Sequence, residues 1–492
     1  MKSIARQSIL TTFSSYLGVV IGYFNVLWLL PYALEPGQIG LFRTIQDLAL
    51  LLVPFAQLGL GNGITRFFPE VKEKPYPFFT MSLLLSLIGF LLVTVLFFLF
   101  KEALVSAFAK NSPEVIDFFA VVLLIVFFSV LNSILDAFSR SFLKVAIPTF
   151  FREVLLRLLV AILIMVYLFN WLDFEQLMWG LSIIYLITLL SMIAYMRSIG
   201  IFKIELNFNS FPKDFRSSFI KYSLITFLGT TGSLLIMKID SLMVTSMIGL
   251  DANAIYSIAF AIAIVIEMPR RAISQVVMPV IADHFSNNSL DQIHKLYKQV
   301  AVHQLLICLL LFIGIWANVN NLYHFVPNKE VYETGKWVVF WIGLGKIFDM
   351  LFSINGEIIV NSKYYKFNIT ATLIMSVLVI VLNLLLIPQY GIEGAALASF
   401  LSMLSYNLIK YAYVKYRLDL DPFSLDIAKI ILVGAFVFFV QFHLFKKMES
   451  GIFDLIMRSI VISILYLLGV FLLKIAKTSQ DEVIKKIKRL RP

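Results

Sequence analysis

Residues 40–55 read GLFRTIQDLALLLVPF, an apolar stretch that carries Arg43 and Asp47 four positions apart. Four residues make about one helical turn, so both side chains leave a helix on the same face. Charges aimed at lipid are costly, and ionisable residues inside a membrane turn toward a bundle interior or a water-filled cavity. The stretch therefore predicts a membrane-spanning helix with one polar face directed inward. A second reading stands beside this one. Arg43 lies within snorkelling reach of the interface, where pairing with Asp47 would be a structural contact only.

Composition agrees with a membrane protein. The chain has 492 residues, of which 60% are hydrophobic and 14% charged, too little polar surface for a soluble protein. Its one cysteine, Cys308, lies in the apolar run LLICLLLFIGIW, which excludes a disulfide framework and a cysteine metal cluster. The formal net charge of +11 is spread over short connecting segments and the C-terminal end. That distribution fits orientation in a membrane and not nucleic-acid binding.

Read against a requirement of roughly 20 residues per crossing, the sequence offers about fourteen apolar spans. They fall at 8–30, 38–60, 78–100, 116–138, 145–169, 176–196, 219–241, 253–270, 300–319, 335–355, 367–387, 392–414, 425–445 and 452–473. The first is too long for a signal peptide and lacks a small-residue cleavage site, so it is expected to stay uncleaved. With this count most Lys and Arg residues collect on one side, leaving Lys101, Lys110, Lys329, Lys336, Lys446 and Lys447 on the other. The asymmetry places both termini in the cytoplasm.

The sequence also echoes itself. TTFSSYLGVV with ALEPGQIGLF returns as ITFLGTTGSLL with IGLDANAIY a little over two hundred residues later. Both copies begin on the cytoplasmic side, which predicts a parallel repeat of six spans. The expected organisation is an all-α membrane protein with an N-terminal six-helix lobe (1–205) and a second six-helix lobe (206–420). An added helix pair (421–474) and a basic cytoplasmic tail (475–492) complete the chain.

The stretch WLLPYALEPGQIGLFRTIQDLALLLVPFAQLGLGNGITRFFPE resembles the opening of the polysaccharide flippases of the multidrug, oligosaccharidyl-lipid and polysaccharide exporter superfamily. IDSLMVTSMIGLDANAIYSIAFAIAIVIEMPRRAISQVVMPVIADHF resembles the start of their second lobe, and YGIEGAALASFLSMLSYNLIKYAYVKYR their twelfth span. The resemblance implies translocation, by alternating access, of undecaprenyl-diphosphate-linked oligosaccharide units across a bacterial inner membrane for O-antigen or capsule synthesis. It further implies membrane lipids and the polymerase of the same pathway as partners.

A diphosphate crossing the bilayer needs cationic donors, and the planar fork of arginine suits it. Arg43, Lys346, Arg270 and Arg271 are the expected diphosphate ligands, with Arg43 and Lys346 on opposite lobes of a hydrated cavity. Asp47, Asp349 and Glu267 are expected to pair with them or couple an ion. Arg270 and Arg271 read equally as an ordinary positive-inside anchor. Asn25 either lines the cavity or bonds a neighbouring helix. Lys238 with Asp240, Asp136 with Arg140, and Glu153 with Arg157 read as structural pairs, and Arg458 as snorkelling. The tail reads as a solvated positive face or a dock on anionic lipid.

No nucleotide-binding glycine loop and no metal-ligand histidine pattern occurs. No cofactor is expected, leaving a proton or sodium gradient, or consumption of the cargo outside, as energy source. A cation-coupled drug exporter is the alternative; such exporters typically have twelve spans. A membrane glycosyltransferase would need a sizeable acidic loop that the sequence lacks. The last two spans are expected to guide the lipid tail along a cleft, and their deletion to leave the lobes folded.

Overall fold

In hydrocarbon every backbone N–H and C=O must be satisfied within its own segment, so an apolar chain of this kind folds as helices. The computed structural model describes residues 2–208, 211, 213–446 and 448–476, and no strand occurs among them. The expected basic tail lies outside the described residues from Lys477 onward. The first half contains α1 (Lys2–Phe24), α2 (Pro36–Gln57), α3 (Leu60–Phe67), α4 (Pro75–Leu99), α5 (Phe119–Ser141), α6 (Ala146–Phe150), α7 (Leu156–Leu168), α8 (Phe174–Ser198) and α9 (Lys213–Met247). The second half contains α10 (Leu250–Ile264), α11 (Met268–Ser286), α12 (Leu290–Ala317), α13 (Val319–His324), α14 (Lys336–Phe352), α15 (Asn355–Asn361), α16 (Tyr365–Leu418), α17 (Leu425–Leu444) and α18 (Ile452–Leu472).

Among the described residues eleven helices are long and apolar enough to cross a membrane, and a bent pair, Lys329–Phe352 with Asn355–Asn361, makes a twelfth. The other two expected spans fall on the run 146–168, divided by a π-helical turn, and on the second arm of α16, which is two helices joined at Gly391. Helix ends extend past the apolar runs. α9 begins at Lys213 and α12 at Leu290, because polar turns continue the helix beyond the hydrocarbon.

Local chemistry fixes the boundaries near the quoted stretch. Pro36 occupies the first turn of α2, and the Glu35 N–H donates to Gln38 Oε1 at 3.1 Å in a capping box. The helix ends at Leu58 and Gly59, both left-handed. Gly59 is required twice over, since a Cβ there would also lie 2.1 Å from the Ser223 carbonyl.

Contacts divide the chain into two compact units, 1–257 and 258–492. In the first, α2 packs on α5 and α9, α8 on α5, and α1 on α6 and the π-helical turn after it. Its core includes the buried rings of Phe67, Phe78, Phe79, Phe138 and Phe219. In the second, α14 packs on α12 and α16, while α17 and α18 pack on α12 and on each other.

The final helix pair is part of that second core. Ile430, Val437, Ile462 and Tyr466 bury against Ala301, Leu305 and Ile313 of α12, and the Tyr466 hydroxyl donates to the Leu306 carbonyl at 2.9 Å. Removing 425–473 would strip α12 of this cover, so the expectation of an undisturbed lobe does not fit the packing. Arg458 does not snorkel. Its guanidinium donates to Asp454 at 2.8 Å, to the Ala317 carbonyl at 3.0 Å and to the Phe445 carbonyl at 3.3 Å, a buried tie between α18 and its neighbours.

Candidate functional site

The helical run 146–168 carries Arg152, Glu153 and Arg157, and its middle turn, Phe151–Leu155, is π-helical. An i→i+5 turn inserts one residue and rotates the rest of the helix by roughly 100°. α1 lies against this run through Gly18 and Gly22, four residues apart, which permit close backbone approach. A Cβ on Gly18 would lie 2.4 Å from the Glu153 carbonyl oxygen, and one on Gly22 would lie 3.3 Å from the Arg157 side chain. Asn25, in a second π-helical turn at Asn25–Leu29, is buried and donates its amide to the Arg157 carbonyl at 2.8 Å. Of its two expected roles it makes the interhelical bond. Gly18→Ala should therefore lower the thermal midpoint markedly, because it meets backbone. Gly22→Ala should leave the midpoint nearly unchanged yet reduce transport by displacing Arg157.

Asp136, Arg140, Arg152, Glu153 and Arg157 line a cavity of about 540 Å³ with Gln57, Asn62, Asn132 and Ser133, within the roughly 300–1,000 Å³ of small-molecule sites. Asp136 accepts from Arg152 at 2.9 Å and lies 3.5 Å from Arg140, while Glu153 lies 3.1 Å from both Arg152 and Arg157. Three guanidiniums share two carboxylates, leaving one positive charge over. The arginine side chains are 46%, 50% and 32% exposed against 14% and 25% for the two acids, so the cations face the open space. Arg157 Nη1 is buried with no hydrogen-bond partner. The pairs expected from four-residue spacing are present, and they belong to a cavity wall as well as to the helices.

The expected Arg43–Asp47 pair does not form. Asp47 accepts instead from Lys238 Nζ of α9 at 2.5 Å, whereas Arg43 Nε is buried without a hydrogen-bond partner. A tight polar seam continues along α2. Thr44 Oγ1 lies 2.8 Å from Thr245 Oγ1 and accepts from Asn253 Nδ2 at 2.9 Å, while Ser241 donates to Asn253 Oδ1 at 2.8 Å.

Residues 3–285 match the family model described as polysaccharide biosynthesis protein. The chain belongs to this family. Residues 226–385 also match the MatE model. An uncharacterized membrane protein of Methanocaldococcus jannaschii is 22% identical over 485 residues, covering 92% of each chain. The fold is similar to that of the lipid II flippase MurJ in an inward closed conformation, with a TM-score of 0.75 and 18% identity over 96% of this chain and 99% of that one. It is also similar to an inward-facing multidrug resistance MATE transporter, with a TM-score of 0.65 and 14% identity over 82% and 94%. This family member is a multi-pass membrane protein with the fold of those two structures.

In the second unit the expected phosphate ligands are already engaged. Lys346 pairs with Glu267, which also lies 3.2 Å from Arg271. Arg270 pairs with Asp349 and lies 3.9 Å from Glu357, while Asn407 donates to Asp349 at 3.0 Å. Three cations meet three carboxylates, with no surplus among these six. Sequence reasoning does not single out Glu357 or Lys410. Lys410 groups with the cytoplasmic cations by charge, although it falls inside the expected span 392–414; it is buried, 4.3 Å over the Tyr406 ring.

Proposed function

We propose that the protein is a flippase that moves undecaprenyl-diphosphate-linked oligosaccharide from the cytoplasmic to the outer leaflet of a bacterial inner membrane, with both termini cytoplasmic. The observation that carries this reading is the cationic surplus in the first-unit cavity, set among uncharged amides and hydroxyls. An exporter of organic cations needs the opposite sign of charge in its pocket. A diphosphate needs this one, and the amides and hydroxyls suit a glycan.

Arg43 belongs to the phosphate-binding set on this reading, since its Nε is unpartnered. Lys346, Arg270 and Arg271 reach the cargo by exchanging Glu267, Asp349 and Glu357 for phosphate. A proton or sodium ion arriving at Glu267 or Asp349 would weaken the same pairs, one arriving at Asp47 would weaken its pair with Lys238, and a gradient would bias the conformational equilibrium through that difference. The lobes at 1–205 and 206–420 are the moving bodies.

Reconstitution tests this directly. Vesicles holding a labelled lipid-linked oligosaccharide should show protein-dependent arrival of glycan at the opposite leaflet, read by cleavage with an added glycosidase, and no efflux of ethidium. Ethidium efflux without glycan translocation would establish the exporter instead.

A further inference from the structure

We infer that Arg140, Arg152 and Arg157 form the subsite for the two linked phosphates of the cargo, with Asp136 and Glu153 as placeholders that the phosphates displace. The inference rests on the flippase reading and names the group its cavity takes.

Each of the two carboxylates lies between two guanidiniums. Asp136 meets Arg140 and Arg152, and Glu153 meets Arg152 and Arg157. A diphosphate presents two anionic groups joined by one bridging oxygen, so one phosphate replaces each carboxylate while Arg152 serves both. Arginine suits such a shared position because its five N–H donors lie in one plane and engage two acceptors side by side. The surplus positive charge draws the more highly charged anion.

The wall is built to hold this geometry. The backbone at Arg157 is fixed by the Asn25 amide at 2.8 Å, its guanidinium lies over Gly22, and Arg152 sits in the π-helical turn. Asp136 is far less exposed than Arg140 and Arg152, and those two guanidiniums line the cavity.

The test measures binding of farnesyl diphosphate to the purified full-length protein in nanodiscs, with ethidium as the contrasting cationic probe. The wild-type protein should bind farnesyl diphosphate more tightly than farnesyl monophosphate. Arg152→Gln and Arg157→Gln should each weaken the diphosphate about tenfold or more, the loss expected for a charge-assisted contact. Arg66→Gln, on an exposed pair with Glu70, should leave it unchanged. Asp136→Asn should tighten binding severalfold by removing a competitor, a gain that misfolding cannot mimic. Arginine variants that bind as the wild type does, or an Asp136→Asn variant that binds no better, would overturn the subsite while leaving the flippase standing. Wild-type protein that binds ethidium and ignores farnesyl diphosphate would overturn the flippase reading itself.

Discussion

Arg458→Leu should destabilise the second unit by about 3–5 kcal/mol, the cost of leaving one partner of a buried ion pair uncompensated. Asp454 is 3% exposed and also accepts from Asn321 at 2.7 Å, so its charge has no route to water. Thermal unfolding of the purified protein should show a clearly lowered midpoint. The double variant Arg458→Leu with Asp454→Leu should recover most of the loss, because an apolar pair of similar volume often replaces a buried ion pair at little cost. A double variant as unstable as the single one would contradict this account and move the weight to the carbonyls of Ala317 and Phe445.

Gly40→Val should abolish transport. A Cβ on Gly40 would lie 1.9 Å from the Leu250 carbonyl and 2.9 Å from the Leu250 Cα, and this is rigid backbone at the start of α10. Overpacking of this kind typically costs about 1–3 kcal/mol, and backbone has little room to yield. The valine must push α2 away from α10, and the separation breaks the bond of Thr44 to Asn253. The readout is labelling of Thr44→Cys by a small maleimide. The native thiol, Cys308, is buried and contributes little background. Thr44→Cys should be protected when Gly40 is present and labelled in the Gly40→Val background; equal protection in both would show that the seam absorbs the extra volume.

The class of the fold is readable because it rests on additive quantities: apolar length, the positions of Lys and Arg, and the absence of long polar segments. The expected spans come from the same source, whereas the π-helical turn at Phe151–Leu155 has no signature that periodicity detects. The site is readable only in part. The cost of an intramembrane charge draws attention to Arg43, Lys346 and Asp349 whatever their neighbours. Which carboxylate meets which cation is decided by helices far apart in sequence: Asp47 sits one turn from Arg43 yet meets Lys238, 191 residues away. Asp136, Arg140, Glu153 and Arg157 read as local pairs because spacing along one helix is all a sequence displays. Arg152, which joins those pairs into one wall, is grouped by charge with the cytoplasmic cations although it falls inside the expected span 145–169.

Gly391, with φ 60° and ψ −136°, joins the two arms of α16 without an intervening loop. The arms then touch at once, for a Cβ on Gly394 would lie 2.2 Å from the Leu386 carbonyl. A turn this short carries too few polar residues to be recognised or exported on its own during synthesis. The two crossings should therefore leave the ribosome-bound insertion machinery together, as one preformed hairpin, and the first arm should not be held in the bilayer until the second has been made. In nascent chains halted between the arms, a cysteine introduced in the first arm should be labelled by a water-soluble maleimide, and in chains extended well beyond Leu418 the same cysteine should be protected.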